Sequence, residues 1–173
     1  GINAKLGGLE AAKLIMYSVN FGEIDRLGIA ENPGKVSAIF VDAAKKLDAA
    51  GVDSIMICAN TPHMFADPVA QEIHVPLIHI GEATAKVINK KGMKKVALLG
   101  TRFTMEMDFY RDKLDNAGIE MMVPENEDKE FVHDSIINEL LKDVFRPETK
   151  AGFLKIIDKL IDQGAEGIVR GCT

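Results

Sequence analysis

The strongest constraint on this chain is a pattern that occurs twice. Residues 51–61 read Gly-Val-Asp-Ser-Ile-Met-Ile-Cys-Ala-Asn-Thr, and residues 164–173 read Gly-Ala-Glu-Gly-Ile-Val-Arg-Gly-Cys-Thr. Each copy has a Gly, a small apolar residue, an acid, then an apolar strand running into a Cys. The glycines are 113 positions apart and the cysteines 114. This is an internal repeat at the scale of half a domain. Cys58 and Cys172 are the only cysteines. Each is expected at the carboxyl end of a buried strand, where open α/β sheets bind ligands.

The rest of the chain alternates strand and helix. Expected strands are Lys13–Val19, Val52–Cys58, Pro76–Ile80, Lys95–Leu99, Ile119–Val123 and Gly167–Arg170. Expected helices are Gly34–Ala50, Thr61–His74 with a restart at Pro68, Glu82–Lys91, Thr104–Asn116, Glu127–Phe145 and Glu148–Gln163. Short apolar strands joined by helices indicate an α/β fold with parallel sheets covered on both faces. The repeat implies two pseudo-symmetric lobes, residues 1–92 and 93–173. Lys95–Leu99 opens the second lobe about 75 residues before Cys172. Its counterpart would precede residue 1, and the elements that follow Cys58 have no counterpart after Cys172. The expectation is an internal piece of a longer protein, with both lobes incomplete at the chain ends.

Composition excludes several functions. The net charge is −5, and the only basic clusters are Lys90-Lys91 and Lys94-Lys95, too little for a nucleic-acid surface. No apolar run is long enough to span a bilayer, and residues 1–5 lead into no secretory h-region. A cytoplasmic location and two free thiols follow as expectations. Small buried hydrophobes are the plain alternative for the cysteines, but their matched surroundings argue for chemistry. His74, His79 and His133 are isolated, and no His or Cys spacing suits a metal. The Gly pairs match neither a dinucleotide fingerprint nor a P-loop. Met93, Met105, Met107, Met121 and Met122 read as core filler.

Ile57 to His63 (Ile-Cys-Ala-Asn-Thr-Pro-His), Leu98 to Met105 (Leu-Leu-Gly-Thr-Arg-Phe-Thr-Met) and Gly171 to Thr173 (Gly-Cys-Thr) resemble the aspartate/glutamate racemase family. The nearest branch is the aspartate racemases and broad-specificity amino-acid racemases. Tyr17 to Phe21 and Asp108 to Tyr110 resemble that branch too, and the resemblance covers essentially the whole chain. It implies two similar α/β lobes about a pseudo-two-fold axis, with the site between them. It also implies a homodimer, an amino-acid or dicarboxylate substrate, and racemisation without pyridoxal phosphate, other cofactor or metal. One cysteine would remove the α-proton and the other would deliver a proton to the opposite face. Inverting a stereocentre needs one base on each face, and a pseudo-symmetric pair of thiols supplies both.

Other candidates carry two readings each. Asn60 and Thr61 are donors to a substrate carboxylate, or a turn residue and an N-cap. Thr101 and Thr104 open a helix whose N-terminus favours carboxylates, or Thr104 simply caps it. Thr173 mirrors Thr61. Lys142 lies 30 residues before Cys172, near a substrate-binding Lys of some aspartate racemases; a solvated helix lysine is the plain alternative. Ser18 and Asn20 end the first expected strand and are weaker substrate contacts. His63 reads as a capping or core histidine, because the two cysteines fill the base roles.

Three departures from the family stand out. The Gly-Gly-Met-Ser strand and the Glu after Gly-Cys-Thr are missing, and Arg170 replaces an apolar residue. A buried Arg170 would favour a nearby thiolate; an exposed one would merely be tolerated. Three alternatives remain: an isomerase of a related substrate such as a hydantoin or maleate, a non-catalytic dicarboxylate-binding member, and a redox pair without CxxC support.

Overall fold

The computed structural model describes residue 5 and residues 7–172. The chain has an α/β fold. Its helices are α1 (Phe21–Leu27), α2 (Pro33–Ala49), α3 (Ala66–Gln71), α4 (Ile80–Lys90), α5 (Arg102–Glu106), α6 (Asp108–Asp115), α7 (Asn126–Asn138) and α8 (Pro147–Asp162). Its strands are β1 (Ile55–Met56), β2 (Leu77–Ile78), β3 (Lys95–Leu99), β4 (Glu120–Met122) and β5 (Gly167–Arg170). Short 3₁₀ turns cover Thr61–Phe65 and Leu140–Lys142. β1 and β2 form one sheet; the other has the order β4-β3-β5. Both of its pairings are parallel, with Val96 opposite Met121 on one side and Gly167 on the other.

By compactness the chain divides into two units. One comprises residues 1–55 and 68–76, the other 56–67 and 77–173. In the first, Pro33 at the first helical turn starts α2, and Val36, Ala43 and Ala44 are its buried face. Asp48 receives both the backbone N–H and the ring of His74, the latter at 2.8 Å.

The second unit is built around β3. Alternate residues of a strand point to opposite faces, and here each face has its own core. Val96 and Leu98 pack with Ala85 and Ile88 of α4, Tyr110 and Leu114 of α6, and Met121. Ala97 and Leu99 pack with Met105, with Val132 and Ile136 of α7, and with Ile156 and Leu160 of α8. Val96 to Leu99 are almost wholly buried, and each large side chain so buried contributes about 1.5–3 kcal/mol. This two-sided burial is why β3 reads as an unbroken apolar run.

Several elements differ from expectation. Lys13–Val19 is not a strand, and Leu14, Ile15 and Met16 are exposed. A strand needs a partner for its backbone polar groups, and among the described residues none pairs with it. The expected helix at 104–116 is two helices, because Met107 is extended (φ −85°, ψ 153°) between them. Met107 itself is partly exposed rather than core. The expected helix 127–145 stops at Asn138, followed by a tight turn with Asp143 left-handed at φ 59°. There Glu139 accepts from the Thr149 hydroxyl at 2.5 Å, which holds the turn against the start of α8. Among the described residues no helix is long and apolar enough to cross a membrane.

Candidate active site

The chain leaves β3 to form β4 on one side and returns to form β5 on the other. β4 and β5 thus flank β3, and the carboxyl ends of such parallel strands are where open sheets bind ligands. Gly100-Thr101 follows β3, and Gly171-Cys172 follows β5. Gly171 donates its N–H to the Leu99 carbonyl at 2.6 Å, so the two loops lie side by side. Both glycines sit in tight space. A Cβ on Gly100 would stand 3.2 Å from Thr104 Cβ and Cγ2. One on Gly171 would stand 3.1 Å from Leu98 Cδ1 and Thr104 Cγ2 and 3.2 Å from the Leu99 oxygen.

A third loop joins them through hydroxyls. Thr61 Oγ1 is 2.9 Å from Thr101 Oγ1 and 3.2 Å from Thr104 Oγ1, and the last two are 3.1 Å apart. Three hydroxyls in mutual contact have three protons for three bonds, so a closed ring satisfies every donor and leaves each oxygen a lone pair. Thr61 and Thr101 are half-buried; Thr104 is fully buried. Thr61 belongs to the segment that begins with Cys58. The ring therefore ties the Cys58 loop to the loop after β3, and Gly171 ties that loop to Cys172.

The two thiols sit in different surroundings. Cys58 is exposed and free, in an irregular loop after a two-residue strand. Cys172 is free and half-buried, packed against the core of Leu99, Met105 and Val132. Burial pushes the Cys172 thiol up from its ordinary value. Asn60, between Cys58 and Thr61, has a buried side-chain oxygen with no hydrogen-bond partner among the described residues. A buried acceptor without a donor is costly, and a ligand N–H or a water would relieve it.

The expected N-caps are corrected by this geometry. The Thr61 hydroxyl goes to the ring, not to its own helix, and Thr104 lies inside α5, which starts at Arg102. The first N–H of α5, that of Arg102, goes to His133 Nδ1 at 3.2 Å. Lys142 is exposed in the turn after α7, and its side chain has no hydrogen bond or ion pair among the described residues. Asn20 caps α1 through Gly22 N–H at 3.0 Å. Ser18 and Arg170 are exposed, so Arg170 is not a buried charge. Thr173 lies outside the described residues. Among the described residues, no three His, Cys, Asp or Glu side chains gather where they could hold a metal ion.

Sequence reasoning missed a pair of buried rings. His63 and His79 meet edge to face with centroids 4.6 Å apart. His79 Nδ1 accepts the Gly81 N–H at 3.0 Å and caps α4. Burial, then the neighbouring His63 and Lys113, pull His79 down to about 4. His63 is also lowered by burial. The signal was Pro62 before His63, which sets a tight turn, and the short His79-Ile80-Gly81 link into a helix.

Fold and site together define an open-sheet α/β protein with thiols and hydroxyls at the carboxyl ends of its strands. The family model of the Asp/Glu/hydantoin racemases matches residues 14–173. The chain belongs to the Asp/Glu/hydantoin racemase family. It is 30% identical over 137 residues to the broad specificity amino-acid racemase RacX of Bacillus subtilis (strain 168), covering 77% of this chain and 57% of that protein. The chain thus spans a little over half the length of that relative. A crystal structure of a candidate Asp/Glu racemase from Yersinia pestis matches 99% of this chain and 75% of its own, at 40% identity and a TM-score of 0.91. An aspartate racemase homologue from Pyrococcus horikoshii OT3 matches with the same coverage, at 36% identity and a TM-score of 0.81.

Proposed function

We propose that the protein racemises an amino acid, aspartate or glutamate by preference, by two-base proton transfer between Cys58 and Cys172 and without pyridoxal phosphate or other cofactor. The observation that carries this reading is the threonine ring. It joins the Cys58 loop to the β3 loop, which is itself bonded to the Cys172 loop.

The chemistry needs one thiolate and one thiol at a time. The thiolate takes the α-proton, and the C–H electron pair moves into the carboxylate as a planar carbanion. The other thiol gives its proton to the opposite face, and the two sulfurs exchange protonation states. Cys172, pushed up by burial, suits the protonated role at rest, which leaves Cys58 as the first base. Charge builds on the substrate carboxylate in the transition state, so donors aimed there lower the barrier. Thr61, Thr101, Thr173 and the Asn60 amide are the proposed donors, Thr61 and Thr101 by turning a hydroxyl proton out of the ring toward the carboxylate while accepting from Thr104, with Lys142 reaching a side-chain carboxylate. Thr104 supports them from beneath. Two lobes, residues 1–92 and 93–173, a homodimer and a cytoplasmic location complete the proposal.

The hydantoin in the family's description gives a second substrate class to test. Incubation with L-aspartate, L-glutamate, neutral L-amino acids and a 5-substituted hydantoin, each in D₂O, reads α-deuterium uptake and optical rotation. Uptake with an amino acid, lost in Cys58→Ser and Cys172→Ser, supports the reading. Uptake with the hydantoin alone reassigns the substrate, and binding without exchange makes the protein a dicarboxylate binder.

A further inference from the structure

The fold buries two histidines that the proposed chemistry leaves unused, and His63 is the one bonded to the Cys58 loop. His63 is 1% exposed and both ring nitrogens are engaged. Its Nε2 accepts the Ile80 N–H at 3.1 Å. A ring nitrogen that accepts carries no proton, so the neutral ring keeps its proton on Nδ1. That Nδ1–H donates to the Ala59 carbonyl at 2.8 Å. The backbone N–H of His63 also donates to the Asn60 carbonyl at 2.9 Å. One residue thus holds two consecutive carbonyls of the loop that starts at Cys58.

The two thiols need such support unequally. Cys172 follows a four-residue strand, is preceded by the Gly171–Leu99 bond and packs on the core. Cys58 is exposed after a two-residue strand, in a loop without regular structure. We infer that His63 is a positioning residue for Cys58: its ring fixes the Ala59 peptide, and with it the thiol, against the start of α4. The inference rests on the two-thiol reading of the site, because only a base needs its sulfur held in place. A misplacement near 1 Å in such a site costs about 10²-fold in rate.

Two substitutions separate the two ring bonds. Asn places its amide nitrogen near Nδ1, so His63→Asn keeps a donor for Ala59 and loses the acceptor for Ile80. Gln reaches further, so His63→Gln keeps the acceptor for Ile80 and leaves Ala59 unheld. The account expects kcat to fall about 10²-fold in His63→Gln with KM little changed, and only a few-fold in His63→Asn. Equal losses that follow the loss in melting temperature would make His63 merely structural and overturn the inference.

A second readout needs no activity. Site-resolved iodoacetamide labelling gives the ratio of Cys58 to Cys172 reactivity. It is expected to shift several-fold in His63→Gln and to stay near wild type in His63→Asn; an unchanged ratio in both overturns the inference. If activity is absent in the wild type while the ratio still shifts, the racemase reading fails and the positioning of Cys58 stands. In the unsubstituted protein, imidazole ¹⁵N spectra must place the His63 proton on Nδ1. A proton on Nε2 contradicts the geometry even if neither variant folds.

Discussion

Thr61 and Thr101 are forty positions apart in the chain, yet their hydroxyl oxygens lie 2.9 Å apart. Thr104 completes the contact from inside the core, at 3.2 and 3.1 Å from the other two. The loops after β1 and β3 are thereby held together, and the Gly171–Leu99 bond adds the loop after β5.

The ring makes Thr104 separable into two halves. Thr104→Val keeps the methyl that packs on Gly100 and Gly171 and removes the buried hydroxyl. It should cost about 1–3 kcal/mol by denaturant unfolding, because Thr61 and Thr101 lose a shared partner. Thr104→Ser keeps the hydroxyl and should lose less, near the value of one buried methyl, about 1 kcal/mol. A larger loss in the serine variant would show that packing, not the ring, holds the loops.

A Cβ at Gly171 would be crowded on three sides. Gly171→Ala should destabilise the protein by about 1–3 kcal/mol through overpacking on Leu98, Thr104 and the Leu99 carbonyl. Gly34→Ala in α2, where a Cβ meets nothing within 4 Å, should be neutral or mildly stabilising. Thermal melts of the two variants check this, and equal behaviour would contradict it.

His79 predicts an acid-sensitive fold. Its folded pKa of about 4 lies below the ordinary 6.5, so the unfolded chain binds the proton more readily between those values. Stability should be full above pH 6.5 and should fall as pH drops toward 4. His79→Asn keeps an N-cap acceptor for Gly81 and removes the titrating group. Its melting temperature should fall less over that window than that of the wild type.

The thiols should differ in reactivity. Cys58 is exposed, while burial covers Cys172 and pushes its thiol up. Iodoacetamide at neutral pH, read by peptide mass, should label Cys58 first. Faster labelling of Cys172 would contradict the described packing.

Much of this was legible in the sequence, for identifiable reasons. β3 read correctly because two-sided burial writes an unbroken apolar run, whereas the partly buried β5, ending in the exposed Arg170, was legible through the repeat. The Cys–Thr repeat placed Cys58 and Cys172 after strands, where the structure has them. Lys13–Val19 misled because its composition is that of a strand, whereas pairing depends on a partner that local sequence does not specify. The break at Met107 carries no Gly or Pro, and the stop at Asn138 depends on Glu139 reaching Thr149 across the turn. The ring of Thr61, Thr101 and Thr104 was visible only as three separate candidates. Its closure is a long-range contact, and so is the tie from His63 to Ile80.

The central claim is that Cys58 and Cys172 act as paired acid and base. It is tested most directly by incubating the protein with L-aspartate and with D-aspartate in D₂O, without pyridoxal phosphate, and following the α-proton by NMR. The account predicts deuterium uptake with inversion from either enantiomer, abolished by Cys58→Ser and by Cys172→Ser. Inversion that survives in either variant would contradict it.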